Sequence, residues 1–332
     1  MIIINVTNNL AVMMKKNIIW KYSLVALGIT SVFIFQSCDS ESYDVKGETQ
    51  NLVYINLQEW SPVDCPKNTF LFNVFRTPIS AELINGGDVE LDVQCTKPAS
   101  QDIKVTFEID RNVQLEGYSP FPDDVKVTLD KTELVIPQGE MLSSDKIILS
   151  VEDGKWGLFT EDVYLLPIKI TSVSHAELSQ SLSSAYLAVK TDYTNCVNGA
   201  TSVAGTKIAD RSTWKAVIDG EDAGTAIFDG STSTYNSFSS CTFEVDLQNV
   251  QQGISGIQFN FSNQNYSLSA ATVYTSTTGS GDYELQGSTS ISRSTSQYVR
   301  FYAPVDARYI KIELTAYSTR GIRLSEFNLY KE

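Results

Sequence analysis

The sequence predicts an all-β protein in which two β-sandwich domains follow an export signal. Three observations support this fold class. The 332 residues are enough for two ordinary domains, each with its own core. Short runs of alternating apolar and polar residues fill most of the chain, as in strands with one buried face. Turn signals separate these runs, and no amphipathic helical stretch of useful length appears among them.

The first element is an apolar segment near the N-terminus. Read from Met14, a candidate for the true start, lysines precede an apolar run of about 14 residues, Tyr22 to Phe35, and then Ser37-Cys38. The run is short for a membrane span, which needs about 20 residues, but it suits a signal peptide. The Ser37-Cys38 junction resembles the lipobox of bacterial lipoproteins. The alternative is an uncleaved membrane anchor.

The next segment is acidic. Asp39 and Glu41 resemble the export tags that send lipoproteins of Bacteroidota to the outer surface, which implies a lipid-anchored protein on the cell-surface side of the outer membrane. The segment has too little apolar content to pack against a core, so it reads as a flexible tether. We therefore predict a signal peptide over 1–37, and the lipidated Cys38 with its tether over 38–50.

Residues 51–191 are predicted to form an immunoglobulin-like sandwich. Apolar side chains at Ile103, Val105, Phe107 and Ile109 alternate with polar ones, as expected of a strand with one buried face. Similar runs occur at Leu52 to Leu57, Phe70 to Phe75, Val89 to Val93, Val125 to Leu129, Ile147 to Val151, Val163 to Ile170 and Tyr186 to Val189. Pro167 predicts an edge strand or a bulge, because proline cannot donate to a ladder.

Four segments of this region resemble a known family. They are Val53 to Ile55, Val105 to Asp110, Leu134 to Gly139 and Tyr164 to Ser172. Together they resemble the N-terminal adhesin-like domain, of unassigned function, that is found in surface lipoproteins of Bacteroidota. The resemblance covers about 140 residues. It implies a structural domain and no catalytic residue.

A second β pattern follows a segment, 192–211, that is rich in small and polar residues and is predicted to be the interdomain linker. Residues 212–332 then show alternation typical of strands, which predicts an antiparallel sandwich of the jelly-roll type. The apolar positions are Phe243, Val245, Leu247, Ile257, Phe259, Phe261, Ile310, Ile312 and Leu314. Gly279 to Asp282 reads as a hairpin turn, since no helix follows it.

The order of motifs in this second region resembles a known binding domain. The motifs are Ser212 to Trp214, Ala226 to Gly230, Phe243 to Leu247, Ile257 to Phe259, Val273 to Ser276, Ala307 to Ile312 and Leu324 to Tyr330. They resemble the discoidin, or coagulation-factor type C, domain, which is similar to family 32 carbohydrate-binding modules. The resemblance implies a sandwich whose loops at one tip hold the ligand, here a polysaccharide or another glycan.

Sugar recognition needs an aromatic face against the pyranose ring and polar groups for its hydroxyls. The loops that match the family's ligand loops supply both types, at Tyr235, Asn236, Phe238, Asn265, Tyr266, Tyr317 and Arg320. Asn236 stands where the family usually has a tryptophan, and of the family's arginine and asparagine pair only Asn265 is kept. Packing under a loop is the alternative for each aromatic. Trp214 and Arg308 lie in sandwich-forming segments and are predicted to be structural.

The resemblance also implies a structural calcium ion, bound by oxygen atoms alone. The matching positions are Asp229, Thr234 and Glu326, while Ser231 replaces the family's second acidic residue. The alternative is that Asp229 and Glu326 only hydrogen-bond their loops. No other cofactor is implied.

Composition excludes several function classes. The formal charge is −14, and an acidic surface repels nucleic acid and anionic lipid. His175 is the single histidine, which removes most acid/base triads and transition-metal sites. The remaining cysteines are Cys65, Cys95, Cys196 and Cys241, for which disulfides within each domain and buried free thiols are both open.

No nucleophile elbow, zinc-binding helix or phosphate-binding glycine loop occurs in the sequence. Neighbouring carboxylates such as Asp123-Asp124 point apart and read as solvated loop charges, although glycoside hydrolysis uses two carboxyls. The sequence therefore predicts a non-catalytic surface lipoprotein that captures glycan, next to outer-membrane glycan-uptake proteins. The alternatives are an adhesion or scaffold protein that binds a protein partner, and an accessory or weak member of a glycoside-degrading system.

Overall fold

A computed structural model describes residues 50–56, 62, 64–279 and 281–332. The predicted signal peptide, the lipidation site Cys38 and nearly all of the tether lie outside the described residues. Within the described residues, no helix is both long enough and apolar enough to span a bilayer.

The described residues of the N-terminal region form twelve strands and one short 3-10 helix, Trp156–Leu158. The strands are β1 (Leu52–Ile55), β2 (Thr69–Arg76), β3 (Ala81–Asn85), β4 (Val89–Leu91), β5 (Val93–Cys95), β6 (Ile103–Ile109), β7 (Val127–Leu129), β8 (Glu133–Ile136), β9 (Ile147–Val151), β10 (Val163–Val173), β11 (Glu177–Leu178) and β12 (Ser184–Tyr193). Each predicted run overlaps at least one of these strands.

These strands pair into three sheets. The largest has six strands in the order β3-β2-β12-β10-β6-β8, and two smaller sheets have the orders β11-β1-β5 and β4-β9-β7. The alternating side chains of β6, Ile103, Val105 and Phe107, are buried in the core that these sheets enclose. Strand β2 pairs with β12 in parallel, so the large sheet is mixed.

Pro167 does not mark an edge strand, because β10 lies inside the large sheet between β12 and β6. It is opposite Tyr186, whose N–H donates to the carbonyl of Asn68 on the far side of β12. The Pro167 nitrogen therefore faces β6, just past the last paired residue of that strand, Ile109. The bulge in β10 lies further on, between Ile170 and Ser172.

The segment 192–211, predicted to be the linker, contains six strand residues, at 192–193, 196–197 and 206–207. Strand β12 continues to Tyr193, and β13 (Cys196–Val197) already pairs with the second domain. Between them lies Asn195, which is buried and exchanges hydrogen bonds with Gln286, Tyr302 and Ala303. Small and polar residues are found both in loops and in a segment that passes from one sheet to the next, so composition does not distinguish the two.

In the C-terminal region, the part of the chain that the structure describes forms ten strands and a 3-10 helix, Gln264–Tyr266. After β13 the strands are β14 (Thr206–Lys207), β15 (Lys215–Ile218), β16 (Glu221–Asp222), β17 (Asn236–Phe238), β18 (Cys241–Phe261), β19 (Leu268–Ser276), β20 (Glu284–Ser290), β21 (Ser296–Ala316) and β22 (Ile322–Lys331). Their main order is β14-β22-β18-β21-β19-β20. The fold class predicted from sequence, two β-sandwich domains, is confirmed.

Two long strands connect the layers of this second sandwich. β18 and β21 each run for 21 residues, and their register shifts repeatedly between Asp246 and Gly256. Such bulges bend a strand, so that each half pairs in a different direction. The apolar runs at 243–247 and 257–261, which the sequence presents separately, thus belong to one bent strand. Their phenylalanines meet Phe327 at the centre of the core.

The four described cysteines are free thiols, which decides between the two alternatives left open by the sequence. Cys95 and Cys196 are buried, and Cys65 and Cys241 are half-buried. Burial raises the pKa of the Cys196 thiol to about 12, and it also raises that of Cys241 to about 12. Both are therefore protonated and unreactive at neutral pH.

Candidate functional site

Arg323 lies between two tyrosines at the point where several loops of the second sandwich meet. Its guanidinium carbon is 3.9 Å from the ring centre of Tyr266 and 5.2 Å from that of Tyr235. These distances are in the range of cation–π attraction. Arg323 is half-buried, and its Nε is fully buried without a hydrogen-bond partner. The tyrosines therefore fix the plane of this guanidinium.

A second arginine stack contacts the short helix Gln264–Tyr266 at Asn265. The guanidinium carbon of Arg293 is 5.2 Å from the ring centre of Tyr317. Arg293 also donates a short hydrogen bond to Oδ1 of Asn265. The hydroxyl of Ser318 donates to the carbonyl of Asn265 at 3.0 Å, which joins the 317–321 loop to this helix. We call the six residues of the two stacks the tip cluster: Tyr235, Asn265, Tyr266, Arg293, Tyr317 and Arg323.

Two aromatics of the tip cluster face solvent. The exposed fractions of Tyr235 and Tyr317 are 42% and 46%. Arg320, also predicted as a ligand residue, is exposed in the tight 317–321 loop. That loop ends at Gly321, whose φ of 81° and whose approach to the Phe238 carbonyl leave no room for a Cβ atom.

Two of the predicted ligand residues turn inward instead. The amide of Asn236 donates to the carbonyl of Ala223 at 2.5 Å, and its backbone pairs with Leu324. Phe238 packs against the hydrophobic core. Both lie on β17, which fixes the edge of the sheet beneath Tyr235. We therefore assign them to the support of the loop and leave them out of the candidate ligand surface.

The positions proposed for calcium form a closed hydrogen-bond network. Asp229 accepts 2.7 Å bonds from the N–H of Ser231 and the hydroxyl of Thr234. The hydroxyl of Thr234, followed by the N–H of Ser231, lowers the pKa of Asp229. Glu326 accepts from the N–H of Gly230 at 2.6 Å. These bonds tie the 229–234 loop to strand β22.

The second oxygen of Glu326 is bound by a cation that belongs to the chain itself. Nη1 of Arg211 lies 2.6 Å from it and also donates to the carbonyl of Phe327 at 2.8 Å. Arg211 and Glu326 are 7% and 4% exposed, so this is a buried ion pair. Each carboxylate oxygen of Asp229 and Glu326 thus already accepts a hydrogen bond from a protein donor.

This donor set does not fit a calcium ion. Calcium takes six to eight oxygen ligands, whereas N–H groups and a guanidinium occupy the positions that face these carboxylates. No group of three or more His, Cys, Asp or Glu side chains within the described ranges could hold a metal. In the structure Asp229 and Glu326 hydrogen-bond their loops.

Comparison with protein families gives two matches. A model of the F5/8 type C domain matches residues 201–327, and a model of an N-terminal domain matches residues 47–177. The first covers nearly all of the second sandwich, including the tip cluster and the Arg211–Glu326 pair. The C-terminal sandwich is an F5/8 type C, or discoidin, domain. No protein with curated annotation matches the chain.

Solved structures give matches at low identity. A two-domain protein of unknown function from Bacteroides fragilis is 19% identical, with 85% of this chain and 95% of that chain covered and a TM-score of 0.48. A family 32 carbohydrate-binding module of NanJ from Clostridium perfringens, in complex with galactose, is 20% identical over 38% of this chain and 98% of its own, with a TM-score of 0.32. These scores lie below 0.5, so the function of this chain is not inferred from them.

The discoidin domain also contains the two residues predicted to be structural. Trp214 is buried and makes edge contacts with Phe228 and Phe327 at 5.7 and 6.3 Å between ring centres. Arg308 forms a two-bond ion pair with Asp246, at 3.0 and 3.2 Å. Both lie in the body of the sandwich.

The tip cluster presents two exposed tyrosines, Tyr235 and Tyr317. Five cavities of about 170 to 660 Å³ lie elsewhere in the described residues, and none of the five is lined by a tip-cluster residue. Exposed tyrosine rings offer an apolar face to a ligand.

Sequence reasoning missed three arginines: Arg211, Arg293 and Arg323. Arg211 was placed in the linker, and Arg293 and Arg323 lie outside the loops that resemble the family's ligand loops. The sequence did contain a signal for Arg293 and Arg323, namely segments without acidic residues. The segments 231–240, 262–267, 291–296 and 316–323 contain no acidic residue in a chain that has 39.

Proposed function

We propose that this protein is a non-catalytic, glycan-binding lipoprotein whose discoidin domain captures polysaccharide or host glycan through the tip cluster. The observation that supports this most directly is the pair of exposed tyrosines, Tyr235 and Tyr317, each stacked on an arginine. Aromatic faces bind the C–H surface of a pyranose ring, and fixed N–H donors bind its hydroxyls.

The tyrosines and the arginines would make different contacts with the sugar. Tyr317 and Tyr235 would provide the two apolar faces, and Arg293 and Arg323 would donate to oxygen atoms of the sugar. Asn265 holds Arg293 in place, since its side-chain oxygen accepts from that guanidinium. Arg320, exposed in the adjacent loop, would extend the surface at one side.

The test is a glycan array followed by calorimetry with the purified protein and two variants, Tyr317→Ala and Tyr235→Ala. We expect each variant to weaken binding by about tenfold or more, since stacked aromatics dominate such sites. Tyr274→Ala is the matched control. Tyr274 also stacks on a cation, since Nζ of Lys311 is 4.3 Å from its ring centre. Tyr274 lies six residues along β19 from Leu268, the residue that follows segment 262–267, and this separation is on the order of 20 Å.

Absence of binding to every plant, microbial and host glycan on the array would contradict this function. Retention of a protein partner in a pull-down that Tyr317→Ala abolishes, with no glycan bound, would favour the adhesion or scaffold alternative. Turnover of a glycan by the purified protein would favour the third alternative, an accessory or weak member of a glycoside-degrading system.

We also propose that the chain is lipid-anchored at Cys38 and faces outward from the outer membrane. The support is the signal-like apolar run, Ser37-Cys38, and the acidic residues that follow. Labelled fatty acid should enter the wild-type protein but not Cys38→Ala, and protease added to intact cells should remove the protein. Glycan-uptake proteins of the same membrane are the proposed neighbours, and crosslinking in cells would identify them.

For the 229–234 loop we propose that the Arg211–Glu326 pair holds the loop without calcium. A guanidinium already supplies the positive charge next to Glu326. This proposal is tested together with the predictions below.

A further inference from the structure

We infer that the glycan bound by the tip cluster is acidic, with a carboxylate or sulfate on its sugar rings. This inference rests on the glycan-binding function proposed above and specifies its ligand class. It comes from the charge and geometry of Arg293, Arg320 and Arg323, which are grouped at the tip of a protein whose formal charge is −14.

None of these three arginines has a carboxylate partner among the described residues. The ion pairs of the described ranges involve other cations, such as Arg211 with Glu326 and Arg308 with Asp246. The four segments that meet at the tip, 231–240, 262–267, 291–296 and 316–323, contain three arginines and no acidic residue. These four segments carry a net positive charge, while the adjacent 219–222 turn carries Asp219, Glu221 and Asp222.

The geometry suits a planar anion. Arg323 is held by Tyr266 and Tyr235, so its orientation is set before a ligand arrives. No hydrogen bond links its guanidinium to any other residue that the structure describes, and because Nε is buried, the two Nη groups are the donors left for a ligand. A guanidinium fork matches a carboxylate with two parallel hydrogen bonds, which are shorter and stronger than those to a neutral hydroxyl.

Electrostatics gives a further reason to expect an anionic group. The net negative charge of the protein would slow the approach of an acidic polymer, but positive charges within about 10 Å act more strongly than distant ones at ordinary salt. Affinity for an acidic glycan should therefore fall as salt is raised, whereas affinity for a neutral glycan should hardly change.

The test compares acidic glycans with their uncharged forms, by calorimetry on the purified protein. The probes are polygalacturonate, alginate, hyaluronan and sialyllactose, each beside its methyl ester, together with a sulfated galactan beside its desulfated form. We expect at least one charged form to bind about tenfold or more tighter than its neutral partner, and its affinity to fall with added sodium chloride.

Variants then locate the site. Arg323→Gln and Arg293→Gln should each weaken binding of that charged glycan by about 10- to 100-fold, as expected for loss of a charged hydrogen-bond donor. Arg300→Gln is the matched control, because Arg300 is an exposed arginine of the same domain, on β21, outside the tip segments. It should bind as the wild type does. The salt dependence of glycan affinity is measured on the wild-type protein. This part of the test therefore stands even if a variant misfolds.

Each other outcome overturns the inference in a distinguishable way. Equal binding of charged and neutral forms would leave the glycan-binding function intact and refute its acidic specificity. No binding to any glycan, charged or neutral, would refute both. Binding to phosphatidylserine vesicles with none to the acidic glycans would assign the arginines to a lipid headgroup, and unaltered binding by both glutamine variants would place the anion elsewhere.

Discussion

Arg211 and Arg323 lie in the same discoidin domain, but their surroundings differ. Arg211 is buried and paired with Glu326 at 2.6 Å, whereas Arg323 is half-buried, stacked on tyrosines, and without a carboxylate. The charge of Arg211 has its counter-ion within the fold, and removal of one partner of such a buried pair is costly. Arg323 is oriented by its tyrosines but has no carboxylate partner, so its guanidinium still has N–H donors for a ligand. The difference separates a structural arginine from a candidate binding arginine.

Replacement of Arg211 should have the largest effect on stability. Arg211→Met leaves Glu326 buried without its cation, and loss of one partner of a buried pair costs about 3–5 kcal/mol. Urea unfolding would measure this as a lower midpoint. The double variant Arg211→Met with Glu326→Gln should recover part of the loss, because no uncompensated charge is then buried. A loss below about 1 kcal/mol in the single variant would show that the pair does not hold this loop.

Replacement of Arg323 should cost much less. Arg323→Met keeps the apolar contact with Tyr266 and Tyr235 and removes a cation–π attraction of about 0.5–1 kcal/mol. The same urea experiment should therefore give a small shift, although glycan affinity falls. If Arg323→Met destabilised the protein as much as Arg211→Met, the distinction drawn between the two arginines would be wrong.

The acid dependence of the 229–234 loop should change when Thr234 is replaced. The pKa of Asp229 is lowered mainly by the Thr234 hydroxyl. A lowered folded-state pKa contributes stability above the unfolded value, near 3.8, and that contribution is lost as pH falls through the folded value. Thr234→Val should thus lower Tm at about pH 6 and differ less from wild type at about pH 3.

Thr315→Val is the control for that experiment, since Thr315 is exposed on β21 and its side chain makes no hydrogen bond within the described residues. Its Tm should follow that of the wild type at both pH values. A constant gap between Thr234→Val and wild type would indicate that the lost stability comes from packing and not from the Asp229 carboxylate.

Calcium should have the smallest effect. A ligand that binds only the folded state raises its stability with concentration, so a real site would raise Tm in millimolar calcium relative to chelator. We expect a change below about 1 °C, because Arg211 already neutralises Glu326. A larger rise, abolished in Glu326→Gln, would restore the calcium site that the family resemblance implied.

Much of the fold could be predicted because β structure leaves a local signal. Side chains alternate between faces with a period of two, so Phe243, Val245 and Leu247 could be assigned to a core from sequence alone. The strand pairings within the predicted linker, 192–211, could not be derived in this way. Small polar residues serve both loops and strand crossings, and only the pairing of Cys196 with Phe301 shows which one is present.

The candidate site was predicted in part. Tyr235, Asn265, Tyr266 and Tyr317 belong to the tip cluster, while Asn236 and Phe238 support it from below. Residue type alone does not distinguish a residue of the tip cluster from one that supports the loop. The direction of each side chain depends on the strand beside it, and β17 turns Phe238 toward the core.

The sequence by itself determined an acidic, all-β chain with two cores, and an N-terminal segment that predicts export. Only the tertiary structure decided which charges meet. Arg211 and Glu326 are 115 positions apart, and Arg293 reaches Asn265 across 28. Alternation is a property of neighbouring residues, whereas these contacts depend on strand order and on the bends of β18 and β21, which long-range pairing sets.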